Sequence, residues 1–112
     1  MAFKKGKGPW VQYRGLEPKP HEVYFHRAAK PELPYWEVMK RIREEVLETL
    51  KEAQETGEKW VMFIHGWSGS RQTTSRSQIR GLMRSAGATP YIVRSECIQH
   101  DSVFIAAIRQ KT

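Results

Sequence analysis

Trp60 to Ser70 reads WVMFIHGWSGS. Its first five residues are apolar at every position, the pattern of a strand buried on both faces, and such strands belong to parallel pairings. His65 closes the apolar run, and the small, glycine-containing stretch Gly66-Trp67-Ser68-Gly69-Ser70 marks an immediate passage into a loop. Upstream, Met39, Ile42, Val46, Leu50 and Ala53 recur at helical spacing between Trp36 and Gln54, with Glu44, Glu45, Glu48 and Lys51 facing the other way. Gly57 stands where a helix ends in a left-handed residue. Pro31 and Pro34 make the preceding AAKPELPY a loop, and the β-branched, aromatic HEVYFH from His21 to His26 reads as the first strand. Strand, long helix and buried strand predict a right-handed βαβ unit.

Downstream, Ser75 with Gln78 three residues on has the form of a capping box, Ile79, Leu82, Met83 and Ala86 keep helical spacing, and Gly87 ends the run. Pro90 resets the chain. Tyr91 to Glu96 and Val103 to Ile108 read as two last strands joined through Cys97 to Ser102. The predicted order is β-α-β-α-β-β: an α/β two-layer sandwich whose four-stranded mixed sheet carries both helices, with the first two strands parallel and the last two antiparallel. Two helices cannot cover both faces of a sheet, so one face is expected to stay partly open. Residues 1–20 form a flexible basic N-terminal arm and residues 21–112 the α/β domain.

A chain of 112 residues builds one core, which excludes enzymes that need a large sheet, a lid or a second cofactor domain. No apolar run approaches the roughly 20 residues that cross a bilayer. No apolar stretch opens the chain either, so no secretory signal and no membrane role are expected. Cys97 is the single cysteine and cannot form an internal disulfide, which points to a reducing cytoplasm. The net charge of +7 is uneven: residues 1–20 carry +4, residues 36–59 carry −2 and residues 60–112 carry +5. A polyanion would meet the ends of the chain. In the arm, Lys4, Lys5 and Lys7 precede Trp10 and Tyr13, a mixture suited to phosphates and bases and equally to aromatics docked on the core.

Gly66, Trp67, Ser68, Gly69, Ser70 and Arg71 follow the carboxyl end of a buried strand, the end at which open α/β sheets bind ligands. The glycines let backbone N–H groups approach an anion, and the loop leads into a helix whose free N–H groups favour negative charge. Arg76, Arg80 and Arg84 then repeat every four residues as one basic stripe, so phosphate is the natural occupant. The loop nearly spells the nucleophile elbow Gly-x-Ser-x-Gly, but its fifth position is Ser70 and no downstream Asp-then-His pair follows. His26 and His65 end two strands that the βαβ unit makes neighbours, so paired imidazoles are expected to act as general acid and base around a phosphodiester or, when protonated, as phosphate ligands. They lack a third metal ligand, and neither a metal nor a cofactor is expected. His100 and Asp101 read as an ordinary turn, and Cys97 as packing or exposed by chance.

With His-Gly at the end of the second strand in this element order, the chain resembles the Smr domain, a small module related to the second MutS family. The resemblance runs from His21 to Arg109. Val23-Tyr24-Phe25-His26 lies where the family has Leu-Asp-x-His, and His65-Gly66-Trp67-Ser68 where it has Thr or His followed by Gly-x-Gly. It implies a fold like the C-terminal domain of bacterial translation initiation factor three, nucleic-acid binding, and cleavage of RNA or DNA as in several members. Tyr24 stands in place of the aspartate that the family associates with cleavage, Arg27 follows the histidine where glycine is usual, and Ser68 replaces the second glycine. The resemblance therefore implies binding more directly than cleavage, with His26 and His65 the residues left for an endonuclease. The alternative is a non-catalytic protein-interaction module that docks on a larger assembly through the open sheet face or the aromatic arm.

Overall fold

The computed structural model describes residues 3–25, 34–65 and 75–111. Its elements follow in the order β1 (Lys4–Lys5), a 3-10 helix (Trp10–Gly15), β2 (His21–Tyr24), α1 (Tyr35–Thr56), β3 (Trp60–Ile64), α2 (Ser75–Met83), a 3-10 turn (Arg94–Glu96), β4 (Ile98–Gln99) and β5 (Val103–Ala107). The apolar strand lies inside a mixed sheet of order β1-β4-β5-β3-β2. β3 pairs in parallel with β2, Val61 opposite His21 and Ile64 opposite Tyr24, and antiparallel with β5 on its other side. The expected stripe of α1 is what the helix buries: Met39, Val46, Leu50 and Ala53 are covered, and Ile42 is half-covered. Gly57 ends the helix at φ 79°, its N–H donating to the Ala53 carbonyl, a left-handed conformation that glycine adopts without steric cost.

Alternation along β3 sends its side chains to two separate cores. Val61 and Phe63 join Val46 and Leu50 of α1, Ile79 and Met83 of α2, and Phe104 and Ala106 of β5, so both helices lie on one face. Met62 and Ile64 join Val103 and Ile105 on the opposite face, where Trp10, Tyr13, Leu16 and Trp60 pack on them. That face was expected to stay partly open. It is closed instead, with Met62, Val103 and Ile105 fully buried, because the 3-10 helix lies across it.

Two further expectations are corrected. The sheet has five strands where four were expected, since Lys4–Lys5 pairs in parallel with β4. The pairing is carried by backbone bonds, Lys4 N–H to the Cys97 carbonyl and Gly6 N–H to the Gln99 carbonyl, both 2.8 Å, which leave no pattern in the side chains. The strand expected at Tyr91 to Glu96 shrinks to a bridge between Ile92 and Ile108, and β4 follows later, at Ile98–Gln99. The reason is Arg94. Its guanidinium donates to the carbonyls of Met83 (2.9 Å) and Ser85 (2.5 Å) and to Thr89 Oγ1 (3.0 Å), satisfying the carbonyls at the end of α2 and turning the chain out of the sheet.

The arm is tied along its length. His100 Nε2 meets the Gly8 carbonyl at 2.7 Å, and Trp60 Nε1 donates to the Glu17 carbonyl at 3.3 Å. Arg14 donates from Nε and Nη2 to the two oxygens of Glu22 on β2 (2.8 and 3.1 Å) while lying 4.8 Å from the Trp10 ring centre. A Cβ built on Gly6 would sit 2.8 Å from His100 Cβ, whereas one on Gly15 meets nothing within 4 Å. Gly6→Ala is therefore expected to lift the arm and lower unfolding free energy by about 1–3 kcal/mol. Gly15→Ala is expected to be close to neutral, and chemical denaturation of the two variants beside wild type checks both.

The Glu22 carboxyl is held below its ordinary value by its hydrogen bond from Arg14. Its contribution to folding is accordingly present above the usual carboxylate range and lost as pH falls through the lowered value. Acidification should loosen the arm, followed by Trp10 and Trp60 fluorescence, and Glu22→Gln should flatten that response.

Candidate functional site

At the carboxyl end of β3 the chain meets the turn between β4 and β5. The His65 N–H donates to the Ser102 carbonyl at 3.1 Å, and the turn is closed by the His100 N–H bonded to the Val103 carbonyl at 3.0 Å. Within it the Ser102 N–H donates to His100 Nδ1 at 2.9 Å. That bond places the ring proton on Nε2, which donates to Gly8, so this buried histidine reads a backbone donor with one nitrogen and a backbone acceptor with the other. The segment is the turn expected from sequence. It is also the attachment point of the arm.

Arg76, Arg80 and Arg84 share one side of α2, as their spacing requires, and that side faces the turn. Arg80 Nη2 donates to the His100 carbonyl at 3.0 Å. Arg84 Nη2 donates to Gln99 Oε1 at 3.0 Å, and its guanidinium lies 5.4 Å from the centre of the Phe3 ring, which packs edge-on to Phe104. Arg76 Nη1 and Arg80 Nη2 each stand 4.0 Å from Asp101 Oδ1. Burial, and then the positive charge of Arg76, pull the Arg80 guanidinium below its ordinary value, with Asp101 opposing and Arg84 adding to the effect. Two cations thus flank one carboxylate with a third, Arg84, on the neighbouring Gln99, and the excess charge suits an anion.

The expected residues separate into groups. His65, Arg76, Arg80 and Arg84 come together around the turn. Lys4, Lys5 and Lys7 are exposed on the arm, and strand alternation puts Lys5 on the side of Phe3 and Arg84. His26 and the loop of Gly66, Trp67, Ser68, Gly69, Ser70 and Arg71 lie outside the described residues, and with them the expected pairing of two imidazoles. Tyr24 accepts from Arg14 Nη2 at 2.8 Å and donates to Glu22 Oε1 at 3.3 Å, so it belongs to the attachment of the arm. Trp10 and Tyr13 are half-buried against the sheet, the second of the two roles open to them. Cys97 is fully buried, with Sγ 3.4 Å from the Ala107 N–H, and burial pushes its thiol up to about 11, as packing requires. Asp101 escaped the sequence reading because its nearness to Arg76 and Arg80 is set by the turn and has no signature in spacing.

Arg80→Lys keeps the charge but loses the planar donor on His100, so a loss of about 1–2 kcal/mol is expected in urea unfolding. Arg76→Lys, which gives up no hydrogen bond among the described residues, is expected to unfold at nearly the wild-type urea concentration. Comparison with known protein families, with curated proteins and with solved structures finds no match for this chain.

Proposed function

We propose that this chain is a nucleic-acid-binding domain of Smr-like type that takes phosphates of RNA or DNA on Arg76, Arg80 and Arg84 and on the loop from Gly66 to Arg71. Lys4, Lys5 and Lys7 extend the contact along the arm. One observation carries the reading: three guanidinium groups gather on the β4–β5 turn beside the carboxyl end of β3, Arg76 and Arg80 near its single carboxylate, Asp101, and Arg84 on Gln99. That end of an α/β sheet is where ligands are received, and the chain as a whole carries +7. A cytoplasmic location belongs to the same proposal, supported by a single, buried cysteine. Among the described residues no helix is long and apolar enough to cross a membrane. A protein-interaction module remains the competing class, but the sheet face it would have used is covered by Trp10, Tyr13 and Leu16, which leaves it the outer surface of the arm.

If about five or six phosphates are neutralised, log affinity for duplex should fall against log salt with a slope of about −5, and Arg84→Ala should reduce that slope by about one. Affinity indifferent to salt refutes the reading. A second reading, metal-independent cleavage, is favoured by His65 lying against the same turn as the arginines. There one of His65 and His26 would take the proton of an RNA 2′-hydroxyl as its oxygen bonds to phosphorus, and the other would give a proton to the 5′-oxygen as the P–O5′ bond breaks, leaving a 2′,3′-cyclic phosphate. The expected result in EDTA is cleavage of labelled RNA that is lost in His65→Ala and in His26→Ala with binding kept; cleavage only with added Mg²⁺ refutes it.

A further inference from the structure

Arg76 Nη1 and Arg80 Nη2 approach the same atom, Asp101 Oδ1, from two successive turns of α2, each at 4.0 Å. That is beyond hydrogen-bond distance, so both guanidinium groups stand near this carboxylate without a hydrogen bond to it. Arg80 Nη2 has its bond to the His100 carbonyl, but Arg80 Nε is buried with no partner among the described residues. Exposure differs sharply across the cluster: the Asp101 side chain is 76% exposed, the Arg76 and Arg80 side chains 22% and 23%. The carboxylate is thus the solvent-exposed member of the cluster, beside two largely covered arginine side chains. An anion arriving from water meets Asp101 first and, once Asp101 rotates outward, two convergent donors.

The charge of the cluster selects among anions. Arg76, Arg80 and Arg84 with Asp101 sum to +2. An internal phosphodiester brings about −1, whereas a phosphate monoester brings roughly −1.5 to −2 at neutral pH and offers three oxygens to paired guanidinium groups. We infer that Arg76 and Arg80 form a subsite for the terminal phosphate monoester of a nucleic-acid strand, and that Asp101 holds the place which this phosphate takes. The inference rests on the nucleic-acid reading above and adds to it the chemical end that the site selects.

The test is an anisotropy titration of one short single-stranded RNA in three forms: with a 5′-phosphate, with a 3′-phosphate, and with neither. One phosphorylated form is expected to bind about tenfold tighter than the unphosphorylated strand, and which of the two does so identifies the end. Arg76→Gln should erase that preference, and inorganic phosphate should compete it away. Asp101→Asn, a change at an exposed position, should tighten the preferred strand by about threefold. Thermal midpoints of both variants close to that of wild type exclude misfolding as the cause. Equal, salt-dependent affinity for all three strands overturns the subsite and leaves the nucleic-acid reading standing. Binding to none of them overturns both.

Discussion

A strand that is apolar at every position cannot be half-solvated, and in this molecule that strand is β3. Trp60, Met62 and Ile64 project to one face and Val61 and Phe63 to the other, so both faces need cover before the sheet is stable. The two helices satisfy one face. The other is satisfied by a segment that sequence composition marks as irregular, whose Trp10, Tyr13 and Leu16 replace the missing second helix layer. The glycines and prolines of residues 3–20 therefore describe a chain that wraps, and the five-stranded sheet follows, because carrying the arm to that face brings Lys4–Lys5 alongside β4.

The β4–β5 turn is where the consequences of that wrapping meet. On one side His100 bonds the arm through Gly8; on the other its carbonyl takes Arg80, while Gln99 takes Arg84 and Ser102 takes the backbone of His65. Core cover and candidate binding surface are thus built on the same few residues. An arginine row that would be a solvated helix face in isolation becomes a partly covered cluster, with Arg80 directed by the His100 carbonyl, Arg84 by the Gln99 side chain, and its charge only partly answered by Asp101. Partial cover strengthens the attraction of such a cluster for an anion, because water screens it less.

Much of the fold was legible because it rests on side-chain periodicity. The stripe of α1, the terminating Gly57, the double-sided burial of β3, the parallel pairing of β2 with β3 and the last strand at Val103–Ala107 all follow from spacing and residue type, which act over one or two turns of chain. The equal spacing of Arg76, Arg80 and Arg84 determined that they share one side of α2. The lone Cys97 and the absence of a long apolar helix among the described residues were likewise set by composition.

Only the tertiary structure decided what those faces meet. Whether Trp10 and Tyr13 dock or reach outward depends on which surface is left uncovered elsewhere, and no local pattern carries that information. The direction of Arg80, the pairing of Lys4–Lys5 and the capping of α2 by Arg94 depend on backbone carbonyls, and every residue type presents the same carbonyl. His100 and Asp101 sit side by side in one turn, yet one is buried between two backbone groups and the other is exposed above two arginines. Adjacent residues in a turn point to different surroundings, and those surroundings are assembled from segments as far away in sequence as Gly8 and Arg80.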